Sequence, residues 1–270
     1  MFASFMINTW LVATVVAVVA GCVGFFVVAR GASFAAHALP LGAFPGAAAA
    51  SLFGVDPLLG LIVAACAGVV GIVWLGRRER HEVATALCLV MLLGVGALFL
   101  SMTSQYSQSV YALLFGEVLG VSDRDLVSIS AVGGACVLLV VLLFRPLLLG
   151  SVSAELLGAQ RLAGRHMELV FLAILALATA VSLPVVGALL VFSLMVGPAC
   201  AARSLSSRPG CAVLLSVGFA LVTVWAAIAL SWESDWPVGF FVGALGVILY
   251  GLGRFGTRVR ILSSLDDSTC

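Results

Sequence analysis

Few residues in this sequence could do chemistry, and several of them fall in apolar surroundings, where a polar group is costly and therefore a functional candidate. His37 stands in the run FAAHALPLGAFPGAAAASLFG with Pro40, Gly42, Pro45 and Gly46. A neutral imidazole binds zinc-, iron- or manganese-class ions. Interior prolines free backbone carbonyls, and interrupted helices mark binding sites in many transporters. A metal site needs several ligands, yet one helical turn after His37 the chain has Leu41. His37 is thus either a ligand of a transport path or a packing histidine bonded to a freed carbonyl. Glu168 begins an apolar stretch, and Glu117 follows Gln105, Tyr106 and Gln108 in a partly polar segment. His81 and His166 lie among arginines and read as solvated, as do Glu79 and Glu82. No phosphate-cradling GxxxxGK[ST], HExxH or GxSxG motif suggests an enzyme. Energy for active transport would come from a partner or an ion gradient.

The elements that position these residues are set by composition. Hydrophobic residues make up 63 % of the 270 and charged residues 9 %, with a mean hydropathy of +1.26. Soluble domains are about half apolar and about a quarter charged. Too few charges exist here to cover a water-facing surface, and disorder or a coiled coil is excluded on the same ground. A net charge of +1 leaves no nucleic-acid footprint. The seven cysteines, at 22, 66, 88, 136, 200, 211 and 270, include no CxxC pair. They read as small apolar residues rather than as a zinc or disulfide framework, and Cys270 does not form a CaaX box.

A helix needs about 20 apolar residues to cross a bilayer. Candidate spans are 9–29, 34–54, 57–76, 83–103, 125–144, 168–183, 187–202, 211–231 and 237–253. The first is too long, and lacks the basic flank, for a cleaved signal peptide. Pro184 separates the two short spans within 168–202, and either a tight turn or a kinked single helix fits it. That choice decides between nine crossings and eight. Arginine arbitrates, because basic residues accumulate on the cytoplasmic side. With nine spans and the N-terminus outside, twelve of the thirteen arginines fall inside, and the exception is Arg124 between Asp123 and Asp125. The expected fold is all-α: a polytopic helical membrane protein of about nine spans, N-terminus outside and C-terminus cytoplasmic. Residues 1–270 form one transmembrane domain. Trp10, Trp74, Trp232 and Trp236 sit near span ends, whereas Trp225 reads as packing. Gly42/Gly46, Gly116/Gly120 and Gly239/Gly243 are GxxxG pairs that permit close helix approach. Two segments do not span. Residues 104–124 are extracytoplasmic, and Val110–Leu119 could form a short helix that re-enters or lies on the outer face. Residues 145–167 are cytoplasmic, and Ser153-Ala154-Glu155 resembles a capped helix start.

The order and spacing of several stretches resemble, over nearly the whole chain, the permease subunits of ABC-type zinc/manganese/iron importers. They are Gly24 through Phe34, Ala38 through Gly46, Asp56 through Gly60, Leu114 through Leu119, Arg145-Pro146 with Ala154 through Gly158, and Val185 through Arg203. The resemblance implies a homodimeric permease for a divalent metal ion in the plasma (inner) membrane. Two ATPase subunits would bind ATP inside, and an extracytoplasmic metal-binding protein would dock outside, near 104–124. The permease itself would hold no intrinsic cofactor. Segment 153–164, with Ser153, Glu155, Leu156 and Arg161, would be the helix that couples to the ATPase; an interfacial amphipathic helix fits its composition equally well. The family usually carries Asp and, four residues later, His before Pro-Gly in its second span. Here those positions are His37 and Leu41, while Pro45-Gly46 keeps the register. Three consequences stay open. His37 lines the path for a softer metal; the ligands come from elsewhere, such as Glu117 or the dimer mate; or the cargo is chelated, as in haem or a siderophore. A non-ABC carrier or scaffold is the reading from another class, and the lack of mid-membrane carboxylates counts against it.

Overall fold

The computed structural model describes residues 4–76, 81–102, 122–152 and 161–266. Among them the chain is helical throughout, with no strand. The helices are α1 (Ser4–Arg30), α2 (Ser33–Phe53), α3 (Pro57–Leu75), α4 (His81–Ser101), α5 (Asp123–Leu142), α6 (Phe144–Val152), α7 (Arg161–Val186), α8 (Ala188–Leu205), α9 (Pro209–Ser234) and α10 (Val238–Asp266). Among the described residues, seven helices are long and apolar enough to cross a membrane, and Leu190–Leu205 and Val238–Arg254 are shorter apolar helices. Each of the nine expected apolar stretches coincides with one of these nine. Some helices run well past the expected ends: α7 begins at Arg161, seven residues before the first position of its expected span. Apolar windows locate the hydrocarbon core of a helix, whereas backbone hydrogen bonding continues into its polar flanks.

Local chemistry fixes the helix ends. The Asp56 carboxylate accepts from the Leu58 amide at 2.8 Å, and Pro57 occupies the first turn of α3, where its missing N–H costs nothing. Ser122 and Asp125 form a reciprocal capping box at the start of α5, satisfying two otherwise orphaned amides. Asp123, beside them, accepts from the Asn8 side chain of α1. Asp56, Asp123 and Asp125 are thus engaged in capping and in tying α1 to α5.

The Pro184 alternatives are resolved by helix direction. Arg30 lies over Phe171, and Gly133 faces both Val15 and Val181, so α7 runs antiparallel to α1. Gly24 abuts Met195, and Arg203 reaches Val28, so α8 runs parallel to α1. The chain therefore reverses between them, and it does so at Gly187, three residues after Pro184. Gly187 has φ 85° and ψ 153°, a region that is essentially restricted to glycine. Pro184 stays inside the last turn of α7.

Helix α1 is the centre of the bundle. Val12, Val16, Val19, Ala20, Phe26 and Val27 are all buried, and α5, α7, α8 and α9 pack around it. Gly21 lies against the backbone of Val217 and Gly24 against that of Met195, so α8 and α9 approach as closely as backbones permit. Ser216 donates to the Gly21 carbonyl at 2.8 Å across the same crossing. A second cluster joins α2, α3 and α4, with Gly46 facing Gly60. Trp225 of α9 meets Trp10 edge to face and donates to the Thr14 hydroxyl, in keeping with its expected packing role. By contrast, α3, α4 and α5 leave large apolar side chains exposed, among them Val63, Met91 and Leu142. Such a surface suits lipid or a partner subunit rather than water.

Candidate functional site

His37 lies in the second turn of α2 and is half-buried. Its ring meets Phe192 of α8 edge to face, with centroids 5.3 Å apart. Its Nδ1 atom is buried and makes no hydrogen bond, so the alternative of a packing histidine bonded to a freed carbonyl finds no bond at that nitrogen. Pro40 and Pro45 remain within a continuous helix. Neither can donate a hydrogen bond, so the carbonyls of Ala36 and Leu41 lose their helical donors. Pro198 does the same for Leu194 in α8 and Pro184 for Ala180 in α7. Leu41 packs against the hydrophobic core and offers no ligand. Among the described residues no group of three or more His, Cys, Asp or Glu side chains is placed to hold a metal ion. What α2 presents around His37 is therefore one imidazole nitrogen with backbone oxygens.

Pro45 and Gly46, expected to break α2 on the path, sit about 13 Å further along the helix axis. Both line an apolar cleft of about 350 Å³ with Phe53, Val63, Leu92 and Phe99. That cleft has no polar lining to coordinate an ion. Gly46 acts there as a contact point: a methyl group on it would collide with the Gly60 carbonyl.

At the C-terminal end of α1, two of the arginines also tie helices together. Arg30 donates from Nη2 to the Leu147 carbonyl at 3.0 Å, and its guanidinium lies 4.8 Å from the centre of the Phe171 ring. Glu168 interacts electrostatically with it, which makes Glu168 a counter-charge for Arg30. Arg203 donates to the Val28 carbonyl at 2.9 Å, satisfying an oxygen in the last turn of α1. Together Arg30 and Arg203 fasten α6 and α8 to the end of α1. Glu117, Ser153, Glu155 and Leu156 lie outside the described residues, and Arg161 is the first residue of α7.

Sequence reasoning missed one feature of the interior. Thr179 and Ser182 of α7 are fully buried, and their hydroxyls make no hydrogen bond. The only sequence signal was two small polar residues three positions apart, just before Pro184.

The fold and its apolar surface define a multi-pass helical membrane protein, with a half-buried imidazole and proline-bearing helices as its polar interior. The chain belongs to the ABC 3 transport family, whose match spans residues 2–253, and it is accordingly a plasma-membrane transport protein. Similar proteins include the manganese import system permease protein ScaB of Streptococcus parasanguinis, 25 % identical over 93 % of this chain and 90 % of the relative. The high-affinity zinc uptake system membrane protein ZnuB of Haemophilus influenzae is 25 % identical over 91 % of this chain and 95 % of its own length. The solved structure of PsaBC from Streptococcus pneumoniae, in complex with Fab, matches with a TM-score of 0.86 at 23 % identity. That match covers 97 % of this chain and 96 % of that one, and at this identity it establishes the shared fold.

Proposed function

We propose that this chain is the membrane-spanning permease subunit of an ABC importer that carries a divalent transition metal ion, zinc, manganese or iron, across the plasma membrane. The observation that carries the reading is the family match over residues 2–253. It is supported by relatives named for manganese import and zinc uptake that align over nine-tenths of the chain. The permease works as a homodimer with two ATP-binding subunits and an extracytoplasmic metal-binding protein. ATP hydrolysis belongs to the ATPase partners, and the metal is cargo rather than a resident cofactor. Nine crossings, with the N-terminus outside and the C-terminus cytoplasmic, fit the opposite senses of α7 and α8. Arg30 and Arg203 meeting at one end of α1 support the same topology.

In this reading His37 is the metal-facing side chain, and Pro40, Pro45 and Gly46 interrupt or tighten the helix that carries it. Glu117 is a second candidate ligand on the outer segment 104–124. Ser153, Glu155, Leu156 and Arg161 on the cytoplasmic segment 145–167 dock with the ATPase. Replacement of the family's Asp and His by His37 and Leu41 favours one second reading, a permease for a chelated metal, because a chelate brings its own ligands.

Co-expression with the ATPase and binding-protein subunits tests the proposal. The ATPase is expected to co-purify with the wild-type chain and to be lost, together with metal uptake, on Glu155→Arg. Persistence of both in that variant would overturn the docking role. Uptake of a haem or siderophore complex in preference to the free ions would replace the free-metal reading with the chelate one.

A further inference from the structure

Six hydroxyl-bearing side chains are buried among the described residues: Thr9, Thr85, Thr179, Ser182, Ser216 and Thr223. A hydroxyl inside a helix normally donates back to a carbonyl three or four residues earlier. Thr223 does so to Phe219, and more exposed residues such as Thr14, Ser151 and Ser204 do likewise. Ser216 instead bonds across to Gly21, and Thr9 and Thr85 are also engaged. Thr179 and Ser182 alone of the six have no partner. Both have zero exposure, so bulk solvent does not reach them in this conformation. Their unbonded state sets them apart from the other buried hydroxyls among the described residues.

Their surroundings point the same way. Residues three apart share one helix face, so the two hydroxyls form a short strip on α7. Ala180, between them, loses its helical donor to Pro184. Helix α7 packs on α2, and α2 packs on α8. Among the described residues these are the three helices with a proline inside them, and α2 and α7 between them hold three of the five buried side-chain polar atoms that make no hydrogen bond, on His37, Thr179 and Ser182. Oxygen donors of this kind suit a divalent cation or its hydration shell.

We propose that Thr179 and Ser182 line the cargo path of this permease and offer their hydroxyl oxygens to a divalent cation, or to its bound water, as it passes between α7 and α2. The inference rests on the transport reading above and extends it to a helix that carries no ionisable ligand.

Two measurements on the complex with its ATPase test it. Thr179→Val with Ser182→Ala removes two uncompensated hydroxyls at nearly constant volume. The expected results are a thermal midpoint raised by a few degrees and uptake of Mn²⁺, Zn²⁺ or Fe²⁺ reduced at least tenfold. Thr179→Ser and Ser182→Thr should keep uptake. A lowered midpoint, or unchanged uptake in the double variant, overturns the proposal. The second measurement does not depend on the cargo. In a background freed of native cysteines, Thr179→Cys and Ser182→Cys should react with a charged thiol reagent in at least one nucleotide state, and Val181→Cys should not. No labelling at 179 and 182 in any state overturns the proposal. A wild-type complex that takes up none of the three ions sinks the metal reading, whereas labelling still decides whether these hydroxyls face a path.

Discussion

The contact between α2 and α3 allows a quantitative test of how the bundle holds its candidate site. At the crossing, Gly46 and Gly60 face one another with no side chain between them. A Cβ on Gly46 would lie 2.7 Å from the Ala64 methyl and collide with the Gly60 carbonyl. Ordinary carbon–carbon separations are about 3.5–4.0 Å, so Gly46→Ala must force the helices apart by about 1 Å. Overpacking of this kind costs about 1–3 kcal/mol, and a clash with backbone, which cannot rotate away, belongs at the upper end. Alanine recovers about 1 kcal/mol of helix propensity. The expected net loss is about 2 kcal/mol, or a fall in Tm of about 4–8 °C for a chain of this size. Gly94 is the control. It lies within α4, and a Cβ there meets nothing within 4 Å, so Gly94→Ala should hold or raise Tm. Once Gly46→Ala has opened the crossing, Gly60→Ala should cost less than it does alone, with a coupling of about 1 kcal/mol. Thermal unfolding in detergent, followed by tryptophan fluorescence, would measure the wild type, the three single variants and the Gly46→Ala/Gly60→Ala double variant. A Gly46→Ala midpoint equal to that of Gly94→Ala, or strict additivity with Gly60→Ala, would refute the reasoning.

Two further outcomes are expected. His37→Ala should abolish metal uptake while leaving membrane expression and ATPase association intact; normal uptake would reduce the ring to a packing partner of Phe192. Arg30→Met keeps much of the side-chain volume but removes a charge-assisted hydrogen bond and the contact with Phe171, a loss of about 2–4 kcal/mol. Arg203→Met, at a more exposed site, should cost no more than about 1 kcal/mol, and equal effects of the two on Tm would contradict the central role given to Arg30.

Helix positions were legible because the hydrocarbon core selects long apolar runs, and the arginines drew notice as topology markers because so apolar a chain holds few charges. The other role of Arg30 and Arg203, holding carbonyls of α6 and α1, was not legible, because the helices they fasten are distant in sequence. Close approach at Gly46 was readable as a small-residue pattern with Gly42. Its partner Gly60 was not, since pairing depends on the relative rotation of two helices. At Pro184 the local rules leave a tight turn and a kinked helix both open; the reversal comes three residues later, at φ 85°, which Gly187 adopts freely.

The interior polar groups show the same limit more sharply. Ionisable residues stand out in an apolar sequence, so His37 drew notice at once. Threonine and serine do not, because a helix ordinarily absorbs their hydroxyls by back-bonding. Whether a hydroxyl is absorbed or left free depends on its rotamer and its neighbours, and neither is written in residue type. A path assembled from one imidazole, hydroxyls and proline-freed carbonyls therefore leaves little trace in a sequence searched for carboxylate and histidine pairs. Loss of the familiar pair at His37 and Leu41 need not mean loss of a route for a cation. It shifts the expected ligands toward neutral oxygen atoms, which hold a divalent ion less tightly than carboxylates and can release it without a change of protonation. That distinction is measurable. Uptake through such a path should vary little between pH 7 and 9, and a steep rise across that interval would require a titrating ligand that these neutral oxygens do not supply.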